Sequence, residues 1–200
     1  MSETSRLHQS TAVELDSETH IYRAEGRIVP GVTEILKSAG LIDGTWFTEA
    51  SAWRGSVIHM ACQLDDEGDL DELSVAEEAK GPLEAWRKCR QEMRWDLFDI
   101  IEQPLIAHTI YGSFAGKPDR LFSDTVIDLK SGTVAPATAI QTAAYAHLSP
   151  YQQSCDRVAV RLQPNGKYSL KQFHVRELRA DQNIFWACLG IHNWKARTSR

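Results

Sequence analysis

The segment GKPDRLFSDTVIDLKSG, residues 116–132, sets Asp119, Asp128 and Lys130 among apolar residues. Burying a charge is costly unless it is paired or coordinates a metal. In TVIDLK successive side chains alternate between strand faces, so Asp128 and Lys130 point one way and Ile127 and Leu129 the other. Pro118 has no N–H and suits a place where ladder pairing is interrupted, which lets Asp119 turn toward Asp128. Two carboxylates that close repel unless positive charge lies between them. A hard divalent cation fits there, since Mg²⁺ takes one or two carboxylates and keeps several waters. Lys130 then stands at the edge of that site. A bare Asp-x-Lys is otherwise an ordinary ion pair on a half-exposed strand, so the reading depends on context.

The surrounding pattern supplies strands and helices to hold these residues. Residues 13–31 alternate loosely around Glu25-Gly26 and read as a β-hairpin, and 32–40 as a short helix ended by Gly40. A second helix is expected over about 47–63, and the acidic stretch 65–78 reads as an exposed loop with room for a helical turn. Pro82 can open a helix running through about 102. Strands follow at about 104–110, 112–116, 119–122 and 125–130, then a helix from Pro136 to about Leu148. RVAVRLQ and YSLKQFHV flank Pro-Asn-Gly-Lys as a hairpin, and the last helix covers about 180–195. This order implies an α/β chain, a mixed sheet with helices packed on it.

The 200 residues fit one domain, with 42% hydrophobic and 24% charged residues as in soluble globular proteins. No apolar run approaches a membrane span, and the first residues lack a basic region followed by an apolar block. The expected compartment is therefore the cytoplasm, with no membrane partner. The four cysteines stand apart at 62, 89, 155 and 188 and read as buried free thiols. A net charge of −5 argues against a polyanionic partner, but residues 65–78 hold eight acids and no base. Residues 151–200 hold nine Lys or Arg against three Asp or Glu, a basic quarter able to face a polyanion.

The full string Gly-x-Pro-Asp…Asp-x-Lys resembles the PD-(D/E)XK nuclease superfamily, with Pro118-Asp119 as its "PD" and Asp128-Leu129-Lys130 as its "(D/E)XK". QTAAY (141–145), on the helix after the lysine, is similar to the QxxxY motif of the RecB-like branch. His59, in RGSVIH on an upstream helix, matches that branch's additional histidine ligand. Residues 19–41 look like the opening of phage-encoded nucleases of this group. The motif resemblance covers about residues 54–145.

The resemblance implies a restriction-endonuclease-like core in a single nuclease domain over 1–200, with an N-terminal hairpin and helix in 1–45 and the catalytic core in 46–200. It implies a metal-dependent DNA exonuclease of the phage type, acting in recombination, repair or processing from the host cytoplasm. A structure-specific or nicking endonuclease and a catalytically silent DNA-binding module are the alternatives. His59, Asp119, Asp128 and the Leu129 carbonyl would hold one or two Mg²⁺ or Mn²⁺, while Asp119, Asp128 and Lys130 would carry the chemistry. Gln141 and Tyr145, one helical turn apart, would hold DNA by a phosphate hydrogen bond and by stacking or a backbone contact. DNA is the expected partner, and a single-strand annealing protein a candidate one. Some RecB-like enzymes carry a four-cysteine iron–sulfur cluster, but the spacing here departs from theirs and no cluster is expected. Arg54, Lys117 and Arg120 lie nearest the motifs as candidate phosphate contacts. Trp46 and Trp53 are candidates for stacking, although core packing is tryptophan's commoner fate.

Overall fold

The computed structural model describes residues 13–16, 19–43, 48–150 and 155–198. Strands β1 (Val13–Asp16), β2 (Ile21–Ala24) and β3 (Arg27–Val29) form an antiparallel sheet. Glu25 and Gly26 turn β2 into β3, both at positive φ (50° and 73°), the backbone that matches strand twist in a tight hairpin. Helices α1 (Val32–Ser38), α2 (Glu49–Glu67) and α3 (Glu77–Met93) follow, with a 3₁₀ turn at Glu72–Ser74. Then come β4 (Ile100–Ile101), β5 (Leu105–Thr109), β6 (Gly112–Gly116), β7 (Arg120–Phe122) and β8 (Thr125–Lys130). The chain continues through α4 (Ala137–Leu148), β9 (Asp156–Leu162), β10 (Tyr168–Phe173) and α5 (Val175–Thr198).

The central sheet has the order β10-β9-β8-β7-β4, with β8 and β9 parallel and the other pairs antiparallel. A parallel pair needs a crossover, which α4 supplies. β8 is covered on both faces. Val126 enters a core with α1, α4 and α5, while Ile127 and Leu129 enter another with α2 and α3. The expected mixed α/β sheet flanked by helices is what the chain forms. β5 and β6 make a separate hairpin, tied to the first sheet by a bridge from Gly31 to Ala115. Among the described residues no helix is long and apolar enough to cross a membrane.

Several sequence expectations need correction. The expected helix over 82–102 starts earlier and ends at Met93, where Arg94 takes a left-handed cap (φ 57°). Pro82 lies inside α3, buried, rather than opening it. Apolar spacing through 97, 98 and 101 imitated a helix, although Leu97 is exposed and Ile101 belongs to β4. The acidic run has a helical turn at Glu72–Ser74, but it is not one solvated loop. Asp65 and Asp66 extend α2 and face the arginines of α3, with Arg87 2.6 Å from Asp65 and Arg90 2.5 Å from Asp66. The N-terminal hairpin has a third strand, although residue pair 17–18 lies outside the described residues, as does residue 47 of the second expected helix. The last helix begins at Val175, a turn before the expected start.

α3 approaches the β9–β10 turn so closely that a Cβ on Gly81 would sit 1.9 Å from the Pro164 carbonyl oxygen. That oxygen belongs to the backbone and cannot rotate aside. Gly81→Ala should therefore lower stability by roughly 1–3 kcal/mol, in the range of core overpacking. Urea unfolding should show a lower midpoint at an unchanged slope. A variant as stable as wild type would contradict this packing.

Candidate active site and metal centre

Strand register assembles the site. β4 pairs antiparallel with β7, Ile101 opposite Arg120, so the next residues out, Glu102 and Asp119, fall side by side. The Glu102 N–H donates to the Asp119 carbonyl at 3.0 Å. β7 pairs with β8, Arg120 opposite Ile127, which brings Asp119 alongside Asp128. Helix α2 lays His59 over the strand ends, its ring nitrogen Nδ1 3.4 Å from Asp119 and 3.5 Å from Glu102. Gly55, one turn before His59, faces Ser131 Oγ and presents no side chain of its own.

Each carboxylate is held from behind. Asp119 Oδ2 accepts the Leu129 N–H at 2.6 Å, and Glu102 Oε2 lies 2.7 Å from Lys117 Nζ. Glu102 adopts φ 48°, a left-handed backbone that a non-glycine residue keeps only where its surroundings enforce it. Among the described residues, His59, Glu102 and Asp119 are the one group of three or more His, Cys, Asp or Glu side chains with ligating atoms all within 4.8 Å of one another. Lys130 sits beside them. Its Nζ donates to Asp128 Oδ1 at 3.0 Å and to Gln141 Oε1 at 3.1 Å, and Gln141 Nε2 donates to the Tyr145 hydroxyl at 3.1 Å.

The charges follow from this crowding. Burial works against a charged His59 ring, but Asp119 and Glu102 outweigh it and lift its pKa to about 10. Burial would raise Asp119, yet His59, Lys130 and the Leu129 N–H hold it down at about 2. Burial lifts Asp128 to about 6 despite the nearby Lys130. Burial disfavours the Lys130 charge, and Asp128 and Asp119 reverse that, leaving its pKa above the ordinary lysine value. The His59 imidazolium thus supplies the positive charge that two adjacent carboxylates require. A metal ion at Nδ1 needs the neutral ring, so metal uptake there releases a proton.

The residues fit a divalent ion. Ligand atoms of one ion with bonds of about 2.1 Å lie at most about 4.2 Å apart, and His59 Nδ1 meets that limit with both carboxylates. Carboxylates suit hard divalent ions and an imidazole suits borderline ones, so the mixed set fits a divalent metal ion. Asp128 Oδ2 is buried and accepts no hydrogen bond among the described residues, its one close partner being Lys130 at 2.8 Å.

The structure therefore brings His59, Asp119, Asp128 and Lys130 together, and adds Glu102, which the sequence reading had placed at the end of a helix. Leu129 contributes its N–H to Asp119 while its side chain fills the core. Tyr145 is buried at 6% exposure in the α4–α5 core, so its ring is covered rather than offered for stacking. Of the candidate phosphate contacts, Arg54 is exposed, Lys117 pairs with Glu102, and Arg120 is fully buried beside Asp66, out of reach of a backbone phosphate. Trp53 is 55% exposed rather than packed in the core, and Trp46 lies outside the described residues. Cys62 and Cys89 belong to one core and Cys155 and Cys188 to the other, on opposite sides of the sheet.

Tyr145→Phe removes the hydroxyl that anchors Gln141 and, through it, Lys130. We expect a stability loss of about 0.5–1.5 kcal/mol, the worth of one hydrogen bond, with Mn²⁺ affinity unchanged. Thermal melting and calorimetric titration check this, and a marked loss of metal affinity would contradict it.

No protein-family model matches the chain, and no curated protein matches its sequence. Solved structures do match. A candidate exonuclease from Eubacterium rectale aligns over 84% of this chain and 76% of its own, with a TM-score of 0.50 and 12% identity. The alkaline exonuclease LHK-Exo from Laribacter hongkongensis aligns over 86% of this chain and 93% of its own, with a TM-score of 0.37 and 18% identity. At 12% identity the likeness to the Eubacterium rectale structure is one of fold. The chain has the expected mixed α/β fold, a mixed sheet flanked by helices, and shares it with the Eubacterium rectale structure.

Proposed function

We propose that this chain is a metal-dependent DNA nuclease that hydrolyses phosphodiester bonds as an exonuclease. The observation that carries the reading is the convergence of His59, Glu102 and Asp119 beside the Asp128–Lys130 pair, from four separate elements. His59, Glu102, Asp119 and Asp128 are the side chains that would hold Mg²⁺ or Mn²⁺. A divalent ion bound there would polarise a phosphate oxygen and acidify a water. Lys130, kept charged by Asp128 and Asp119 and oriented by Gln141, neutralises charge developing on the phosphate. Asp119, fixed by the Leu129 N–H, keeps one oxygen turned to the site. Gln141 and Tyr145 serve the substrate through Lys130, with Gln141 as the half-buried member able to reach a phosphate.

The exonuclease reading, as against nicking, draws on the name of the Eubacterium rectale protein that shares the fold. A phage-type role in recombination or repair, beside an annealing protein, draws on the motif resemblance. Incubating linear and covalently closed circular DNA with Mn²⁺ tests the proposal. The linear DNA should be degraded and the circle spared. Cleavage of the circle would replace exonuclease by endonuclease, and cleavage of neither would leave a silent DNA-binding module.

A further inference from the structure

We propose that Asp66 and Arg120 form a buried positioning pair whose task is to keep Glu102 available to a divalent cation, an inference that rests on reading His59, Glu102 and Asp119 as a metal centre. Arg120 follows Asp119 directly and is fully buried. Its guanidinium is committed away from the site, with Nε 2.5 Å from Asp66 Oδ2 and Nη1 2.5 Å from the Asp119 carbonyl. The same Nη1 also donates to Glu102 Oε1, but at a long 3.5 Å, and Nη2 has no hydrogen-bond partner among the described residues. Asp66 is held firmly in turn. Trp86 Nε1 donates to both its oxygens at 2.9 and 3.1 Å, and Arg90 Nη1 lies 2.5 Å from Oδ1. Asp66 follows His59 by seven residues, two turns of α2, so one helix face carries both the histidine and the anchor for the arginine.

A guanidinium forms its best pair with a carboxylate through two parallel N–H donors. Glu102 is a buried carboxylate next to an arginine with a spare donor, yet the pair is loose. Asp66 is the group that keeps it loose. Without the Asp66 charge, Arg120 closes on Glu102, and an incoming cation must displace a guanidinium that never loses its proton. Asp66 therefore governs metal affinity without touching the metal.

Calorimetric titration of the purified full chain with MnCl₂ tests this, with folding of each variant confirmed by circular dichroism. Asp66→Asn should bind Mn²⁺ at least about tenfold more weakly, the usual scale for groups behind a metal ligand. Adding Arg120→Met to Asp66→Asn should restore affinity to within about threefold of wild type, because the competitor is gone. A purely structural role would give no such rescue. Wild-type affinity in Asp66→Asn, or a double variant no better than the single one, would overturn the proposal. Should Asp66→Asn fail to fold, Arg120→Lys reads the same competition. Its ammonium stays with Asp66 and cannot span to Glu102, so affinity should hold or rise, and a tenfold fall would overturn the proposal. Glu102→Gln separates the two levels of the account. If wild type binds no Mn²⁺, or Glu102→Gln leaves binding intact, the metal centre itself fails. If both behave as expected and Asp66→Asn is unaffected, only the role of the pair fails.

Discussion

Lys130→Ala should reduce phosphodiester hydrolysis by roughly a hundred- to ten-thousandfold, the range spanned by losing one transition-state stabiliser or one proton-transfer group. The lysine is placed for this. It shares the β8 face with Asp128, is three-quarters buried, and is pinned by Asp128 and Gln141. It is not a metal ligand, and its departure removes the cation now paired with Asp128. Mn²⁺ affinity should therefore stay near wild type while turnover collapses. Stability should change little in comparison, since Asp128 with its raised pKa can take up a proton when its partner is lost. Single-turnover hydrolysis and calorimetric titration on the same preparation give both quantities. Activity within a factor of two of wild type would remove Lys130 from the chemistry.

Glu102→Gln should weaken Mn²⁺ binding about a hundredfold, or roughly 2.7 kcal/mol. Glu102 is the nearest carboxylate partner of His59 besides Asp119, and ligand charge strongly tunes hard-cation affinity. The substitution keeps size and shape but leaves Lys117 without its 2.7 Å partner and reduces the negative charge around buried Arg120. A moderate fall in melting temperature should accompany the loss of metal binding. The two effects separate on titration of the folded protein. Unchanged affinity would show that Glu102 is no ligand, and the centre of His59, Glu102 and Asp119 would fail.

How much of this was legible in the sequence depended on whether local rules or long-range register placed each residue. The two-residue period of TVIDLK put Asp128 and Lys130 on one face, and their 3.0 Å contact follows from that alternation. The helices around His59 and Gln141 were both expected from the sequence, the second marked by Pro136 at its start. Glu102 was not, for two physical reasons. Apolar residues at 97, 98 and 101 continued a helical spacing past the true end at Met93. The residue then reaches the site only because the two-residue strand β4 pairs with β7 and Glu102 itself turns to a left-handed φ of 48°, which no local motif announces. Arg120 was misjudged from proximity. Adjacent residues on a strand face opposite ways, so the neighbour of Asp119 points inward to Asp66 rather than outward to a phosphate. Asp65 and Asp66 were hidden inside a run of acids whose surplus suggested solvent, whereas the partner arginines lie more than twenty residues downstream on another helix.

The most direct test of the central claim compares wild type with Asp119→Asn on 5′-labelled linear duplex DNA, purified identically and assayed with Mn²⁺ and with excess chelator. Asp119 touches His59, lies beside Glu102 and accepts the Leu129 N–H, so it joins every part of the site. Wild type should release nucleotides with metal and none with chelator, and the folded variant should lose at least about a hundredfold. Degradation that persists in chelator, or that Asp119→Asn retains at the wild-type rate, would contradict it.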